Sequence, residues 1–223
     1  MTKRAVSFMF LFHVLFVGII IAYGQAATIS RAEFLTYMGA SEKATKGIPY
    51  RVDTTVEMSE RQNGPWSPYS SWFELRIAPD RWHITYLSGP SLLAGIPSEY
   101  IRVGRTKFAK DRTRGWVREQ AEAVGVVVNP ASTPGFNGPV VRYELLDVVD
   151  EFIDPNMKAV RVVSGKTANL DISDKETLTY VYVFDDHGIL KKTESYSYNG
   201  TKWIRRRESI EYDATIKIEA PIP

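Results

Sequence analysis

Beyond residue 26 the chain carries two histidines, His83 and His187, the side chains best suited to acid–base or metal chemistry near neutral pH. His187 follows Asp185 and Asp186 and precedes Gly188, so two carboxylates and an imidazole stand where a cation could in principle be held. The same four residues are also the ordinary composition of a turn, and that is the simpler account. His83 alternates with Trp82 and Ile84, as a solvated residue on the polar side of a strand would. No cysteine is present, which removes thiolate nucleophiles, disulfides and cysteine-based metal sites. There is no G-x-S-x-G elbow, no H-E-x-x-H, no phosphate-binding glycine loop and no dinucleotide fingerprint. No spacing of acids selects a carboxylate pair for sugar hydrolysis. The expectation is a non-enzyme with no cofactor and no metal site.

Two basic clusters bear on binding. In Arg205-Arg206-Arg207 alternate side chains of a strand point to opposite faces, so the three cannot form one patch. If Ile204, Ile210 and Tyr212 face inward, Arg206 and Glu208 do too and pair with each other. The second cluster is Arg102, Arg105, Lys107, Lys110, Arg112, Arg114 and Arg118. It reads either as a solvated face that discourages edge-to-edge pairing or as a docking surface for an acidic envelope partner or phosphate head groups. Asn199-Gly200-Thr201 matches a glycosylation sequon, which a hairpin turn explains equally well. Trp66, Trp72, Trp82, Trp116 and Trp203, with many Tyr and Phe, either fill a core or line a pocket for an apolar ligand.

The elements that would position these residues are mostly strands. Ser30-x-x-Glu33 is a capping box, in which each side chain satisfies an N–H at the other's position. Phe34, Leu35 and Met38 form a stripe behind it, and Gly47 with Pro49 ends the run, so a helix is expected over 31–46. Almost everything after it has period two. Val52 to Met58, Phe73 to Ile77, Trp82 to Tyr86, Ile101 to Phe108 and Val141 to Leu145 each alternate apolar with polar residues. Further strands are expected over Thr177–Phe184, Ile189–Tyr198 and Lys202–Tyr212, the last two joined by a two-residue turn at Asn199-Gly200. The sum is a meander of about nine strands, each with one apolar face needing cover. Besides the helix, the non-alternating apolar segments available as cover are Gly89–Pro97 and Ala121–Pro139.

The N-terminus sets the compartment. Lys3 and Arg4 precede the uncharged run Ala5–Tyr23, and Gly24-Gln25-Ala26 supplies small residues for signal peptidase. Residues 1–26 are expected to be a cleaved signal peptide, with an uncleaved anchor as the rival reading, and residues 27–223 one domain. Loss of Lys3 and Arg4 from 28 basic residues leaves 26 against 26 acidic ones, so the mature chain is neutral. Neutrality argues against a nucleic-acid or anionic-membrane binder. An exported, cysteine-free chain suits a bacterial periplasm or cell surface.

Taken together, the export signal, the helix from Ser30, and the runs "YRVDTTVEM", "WFELRIAPDRWHITYL", "EYIRVGRTKFAKDRTRGW", "YVYVFDDHGILKKTESYSYNGTKW" and "YDATIKIEAPIP" resemble the outer-membrane lipoprotein-sorting (LolA-like) superfamily, which includes LppX/LprG-type lipid-binding proteins. The resemblance covers nearly all of residues 27–223. It implies a mainly β, α+β fold: a curved antiparallel sheet forming an unclosed half-barrel, with the N-terminal helix and loops over its concave face. It further implies a monomeric periplasmic or exported carrier that holds an acyl chain of a lipoprotein or lipid in an apolar cavity. The alternative is an envelope sensor or protein-interaction module with a filled core. No lipidation cysteine is present, so the anchored members' role does not carry over. On alternation, the expected cavity lining is Phe73, Leu75, Trp82, Ile84, Tyr86, Ile101, Val103 and Phe108, and the expected lid is Phe34, Met38, Leu92 and Leu93.

Overall fold

The computed structural model describes residues 26–78, 80–120, 140–147, 150–165 and 170–222. The expected signal peptide, apart from Ala26, and the segment Ala121–Pro139 lie outside the described residues.

Twelve strands are described: β1 (Ala27–Ile29), β2 (Tyr50–Ser59), β3 (Ser67–Ala78), β4 (Arg81–Ser88), β5 (Glu99–Val103), β6 (Thr106–Asp111), β7 (Gly115–Gln120), β8 (Val140–Leu146), β9 (Lys158–Gly165), β10 (Leu178–Phe184), β11 (Leu190–Tyr198) and β12 (Trp203–Tyr212). They form one antiparallel sheet in the order β1-β8-β9-β10-β11-β12-β2-β3-β4-β5-β6-β7. Two meanders, β2–β7 and β8–β12, are thus welded along the β12–β2 ladder, whose ten paired positions run from Trp203↔Ser59 to Tyr212↔Tyr50. The sheet is unclosed, with β1 and β7 at its edges, and the expected curved half-barrel with a helix is the observed fold.

Helix α1 (Arg31–Thr45) starts at the capping box: Ser30 N donates to Glu33 Oε2 at 2.7 Å, and Glu33 N donates to Ser30 Oγ at 3.1 Å. These bonds, the backbone one foremost, hold the Glu33 carboxyl below its usual pKa. Phe34, Met38, Ser41 and Thr45, spaced by four, three and four residues, form the buried stripe of the helix. Phe34 and Met38 pack with Val160, Val162, Tyr182, Phe184, Leu190, Val52 and Ile210 in the main core. Phe34 stacks obliquely on Tyr143 and Tyr182, with ring centroids 5.3 and 5.2 Å away.

The opposite face of the sheet is covered as well. Phe152 and Ile153 pack over Ala159, Val181 and Val183. At the other end of the sheet the C-terminal segment lays Ile216, Ile218 and Ile222 over Leu75, Ile101, Val103, Phe108 and Trp116. Both faces therefore bear apolar side chains, which is why a simple inside–outside alternation does not identify the helix side.

Two local expectations need adjusting. The β11–β12 hairpin closes through four residues, 199–202, and not two: Asn199 N bonds to Lys202 O at 3.1 Å, and Asn199 Oδ1 accepts from the N–H groups of Thr201 and Lys202. The Gly89–Pro97 segment holds one short helix, α2 (Pro90–Leu93), between Gly89 and Gly95.

Candidate ligand-binding site

The buried stripe of helix α1 runs to its last residue, Thr45. Ser41 Oγ accepts a hydrogen bond from Leu190 N at 2.9 Å, in a fully buried setting. One turn later Thr45 Oγ1 donates to Ser41 O at 2.9 Å. Thr45 is itself buried, and the exposed side of the last helical turn and the 46–48 turn lie beside the ends of β2, β3 and β12. A cavity of about 660 Å³ lies between them.

The cavity has an apolar floor and a charged rim. Tyr50, Tyr212, Ile48 and Ile77 are among its apolar lining, and Glu42, Lys43, Lys46 and Arg76 form the polar part. Pairing explains the convergence: Tyr212 is opposite Tyr50, and Tyr50 is opposite Arg76, so one transverse row crosses three strands on the helix side. The two tyrosine rings are 6.0 Å apart. Burial pushes the Tyr50 hydroxyl up to about 12, and burial likewise raises Tyr212. Both stay protonated at neutral pH and serve as neutral hydrogen-bonding groups. Arg76 Nε forms an ion pair with Glu74, while its buried Nη1 finds no acceptor among the described residues. Burial lowers the Arg76 pKa from its ordinary high value. The arrangement offers a dry trough with a cation at its wall and two lysines at its mouth. It offers no nucleophile paired with a base.

The eight residues expected to line one cavity are divided between the two faces. Trp82, Ile84 and Tyr86 lie on the helix side, and Trp82 is directly opposite Arg76. Phe73, Leu75, Ile101, Val103 and Phe108 lie on the other side, where Ile101 and Phe108 are buried with Ile218 from the C-terminal segment. Two registers cause it: a bulge in β3, where Ala78 pairs with Arg81 but Arg76 rather than Ile77 pairs with Trp82, and the β4–β5 ladder, where Ile101 is opposite His83 and not Trp82 or Ile84. One extra residue in one strand exchanges the faces of everything beyond it.

The expected lid is also redistributed. Phe34 and Met38 are sealed in the core at 0% and 1% exposure, so they seat the helix rather than cover an opening. Leu92 is half-buried and Leu93 is 90% exposed, in a loop at the opposite end of β3 from the cavity. Tyr50, Arg76, Tyr212 and the helix-end lysines were not singled out by the sequence reading. The available signal was that Tyr50 and Tyr212 each end an alternating run that shares a face with Val52 and Ile210.

The remaining groups have structural partners. Arg206 pairs with Glu208 on the helix side, as expected, at 2.5 Å. Arg205 pairs with Glu57 and Arg207 with Glu194 on the opposite face, at 2.7 and 2.6 Å. A second cavity of about 440 Å³ lies on that face, bounded by Trp66, Phe152, Val181 and Glu194. The seven-residue basic cluster is not one face. Arg102 is buried and donates to Gly104 O at 3.0 Å, Lys107 pairs with Glu119 at 3.1 Å, and Lys110 pairs with Glu99. Arg102 and Lys107 are cross-strand partners on the helix side, whereas Arg118 is opposite Phe108 on the other. His83 is half-buried beside Glu99, Nε2 to Oε2 3.3 Å, and not solvated as expected. In the Asp185–Gly188 turn, Asp185 Oδ1 accepts from His187 N at 3.0 Å and Ile189 N at 2.8 Å, which accounts for the acid as turn chemistry. Among the described residues no group of three His, Asp or Glu side chains could hold a metal ion.

No protein-family model matches the chain, and no curated protein matches it. Solved structures similar to it include a LolA superfamily protein from Nitrosomonas europaea, 9% identical, covering 80% of this chain and 93% of that one, with a TM-score of 0.31. A DUF1329 family protein from Desulfovibrio piger is 7% identical, with coverages of 83% and 94% and a TM-score of 0.34.

Proposed function

We propose that the chain is an exported, non-catalytic carrier that shelters an acyl chain of a lipoprotein or lipid between α1 and the sheet. It would act as a monomer in the periplasm or outside the cell, after cleavage near Ala26. The observation that supports this reading is the cavity of about 660 Å³ beside the end of α1, lined in part by Ile48, Tyr50, Ile77 and Tyr212. Its size falls within the roughly 300–1,000 Å³ typical of small-molecule pockets.

The energetics suit carriage. A buried methylene is worth about 0.8 kcal/mol, so an acyl chain of ~14 carbons gains roughly 10 kcal/mol on leaving water. Loss of rigid-body freedom on association takes back an estimated 4–15 kcal/mol. The two are of the same order, so the gain from the chain is largely offset and a bound cargo is not held irreversibly. Arg76, Lys43 and Lys46 outnumber Glu42 around the trough, so an acyl chain ending in a carboxylate or phosphate has its charge met at the wall or mouth.

Native mass spectrometry of the protein purified from a bacterial periplasm without detergent tests the reading. A co-purifying mass of several hundred daltons, removed by organic extraction, is the expected result. A clean apo mass that stays unchanged after incubation with lipid vesicles would sink it and leave an interaction module with a filled core.

A further inference from the structure

Among the described residues, four of the seven large apolar side chains that stand exposed gather at one end of the sheet. Tyr69, Leu87, Leu93 and Ile96 are 43%, 58%, 90% and 40% exposed, and they belong to the N-terminal end of β3, the C-terminal end of β4 and the β4–β5 connection. Isolated exposed leucines are commonplace, but a group of this kind on a formed loop marks a contact surface.

The loop is built to present them. Gly89 has φ +127°, and a Cβ there would lie 2.7 Å from Ser70 Cβ, so the chain leaves β4 pressed against β3. Pro90 starts α2, Ala94 N closes it on Pro90 O at 2.9 Å, and Gly95 at φ +78° turns the chain back. Tyr86 N then bonds to Ser98 O at 2.8 Å, closing the base. Leu93 is therefore held outward by backbone geometry.

A positive charge stands beside this tip. Arg112, from the β6–β7 turn, donates through Nη2 to the Leu92 carbonyl. Its neighbours Lys110 and Arg114 are paired with Glu99 and Asp111, whereas Arg112 has no acidic partner among the described residues.

We propose that this end of the sheet docks on an anionic phospholipid surface, with Leu93, Leu87, Ile96 and Tyr69 entering the interface and Arg112 meeting the phosphates. The charge selects the occupant: an apolar tip with a guanidinium beside it whose charge no carboxylate offsets matches a hydrocarbon boundary under anionic head groups. A protruding leucine also enters lipid without a complementary pocket. The patch is local, so it is compatible with a chain whose mature net charge is zero. It lies about seven residues along β3 from Arg76, roughly 23 Å, so docking leaves the cavity free. The inference stands whether or not that cavity carries lipid.

The absence of cysteine makes the test direct. Single Leu93→Cys and Arg105→Cys variants carry an environment-sensitive fluorophore; Arg105 is an exposed residue in the turn at the far end of β5. With vesicles containing phosphatidylglycerol, the label at 93 brightens and shifts to the blue, and the label at 105 does not. Arg112→Glu, added to the Leu93→Cys protein, weakens vesicle partitioning roughly tenfold or more. An unresponsive label at 93 overturns the proposal and assigns the patch to a protein partner. An equal response at 105, or partitioning indifferent to Arg112→Glu, overturns it too.

Discussion

The side-chain oxygen of Ser41 accepts a hydrogen bond from the backbone N–H of Leu190 at 2.9 Å, joining the helix to the start of β11 across 149 positions of sequence. Both residues are fully buried. Ser41→Ala leaves that N–H without an acceptor, at an expected cost of about 1–3 kcal/mol. Denaturant unfolding measures it as a lower midpoint with an unchanged m-value. A loss below about 0.5 kcal/mol, the range of an ordinary surface substitution, would show that the bond does not anchor the helix.

The capping box makes part of the stability depend on acid. Glu33 has a lower pKa in the folded chain than its ordinary 4.5, chiefly through the Ser30 N–H. The unfolded state therefore binds more protons between the two values, and stability rises with pH through that window. The contribution is complete above about 4.5 and is lost as pH falls through the lowered value. Glu33→Gln keeps a capping side chain but removes the titration. The stability gap between wild type and Glu33→Gln should shrink as the solution is acidified below that range. A gap independent of pH would refute the assignment.

Gly39 sits on the cavity side of α1, and a Cβ there meets nothing within 4 Å. Gly39→Ala should stabilise the helix by roughly 0.5–1 kcal/mol without changing ligand uptake. Gly39→Trp should fill the trough and lower acyl-ligand affinity about tenfold or more, with thermal unfolding little changed. Titration of both variants with a fluorescent fatty acid separates the two effects. Undiminished binding by Gly39→Trp would place the ligand elsewhere.

Arg76 faces the same trough with Nη1 unpaired. Replacing it alone would strand the Glu74 carboxylate, so the informative variant is Glu74→Gln with Arg76→Gln, which removes both charges. A charged hydrogen bond is worth about 1.5–3 kcal/mol. The double variant should therefore bind palmitate at least tenfold more weakly, while its affinity for hexadecanol stays within about twofold. Calorimetry with the two ligands reads the ratio. Equal losses for acid and alcohol would show that the pair shapes the cavity without reading the head group.

Local chemistry made much of this protein legible in advance. The Ser30–Glu33 box and the Phe34–Met38 stripe specify a helix through contacts within a few residues, and the observed helix ends one residue from the expected end. Period-two runs mark strands because pleating sends successive side chains to opposite faces, and the Arg206–Glu208 pair follows from that rule alone. What the rule omits is how one strand's faces relate to its neighbour's. Phe73-x-Leu75 and Trp82-x-Ile84-x-Tyr86 look alike, yet the single extra residue at Ile77 puts them on opposite sides of the sheet. Alternation would betray such an exchange only if one face were wholly polar, and here Trp82, Ile84 and Tyr86 stand on one side while Leu75 packs with Ile216 and Ile218 on the other. The cavity depends on still longer relations: Tyr50 and Tyr212 are 162 positions apart and meet only because β12 pairs with β2. The helix that borders it is held by another long-range contact, Leu190 N to Ser41 Oγ. Short-range patterning determined the elements. Register, one bulge and one buried hydrogen bond decided which of their faces could become a site.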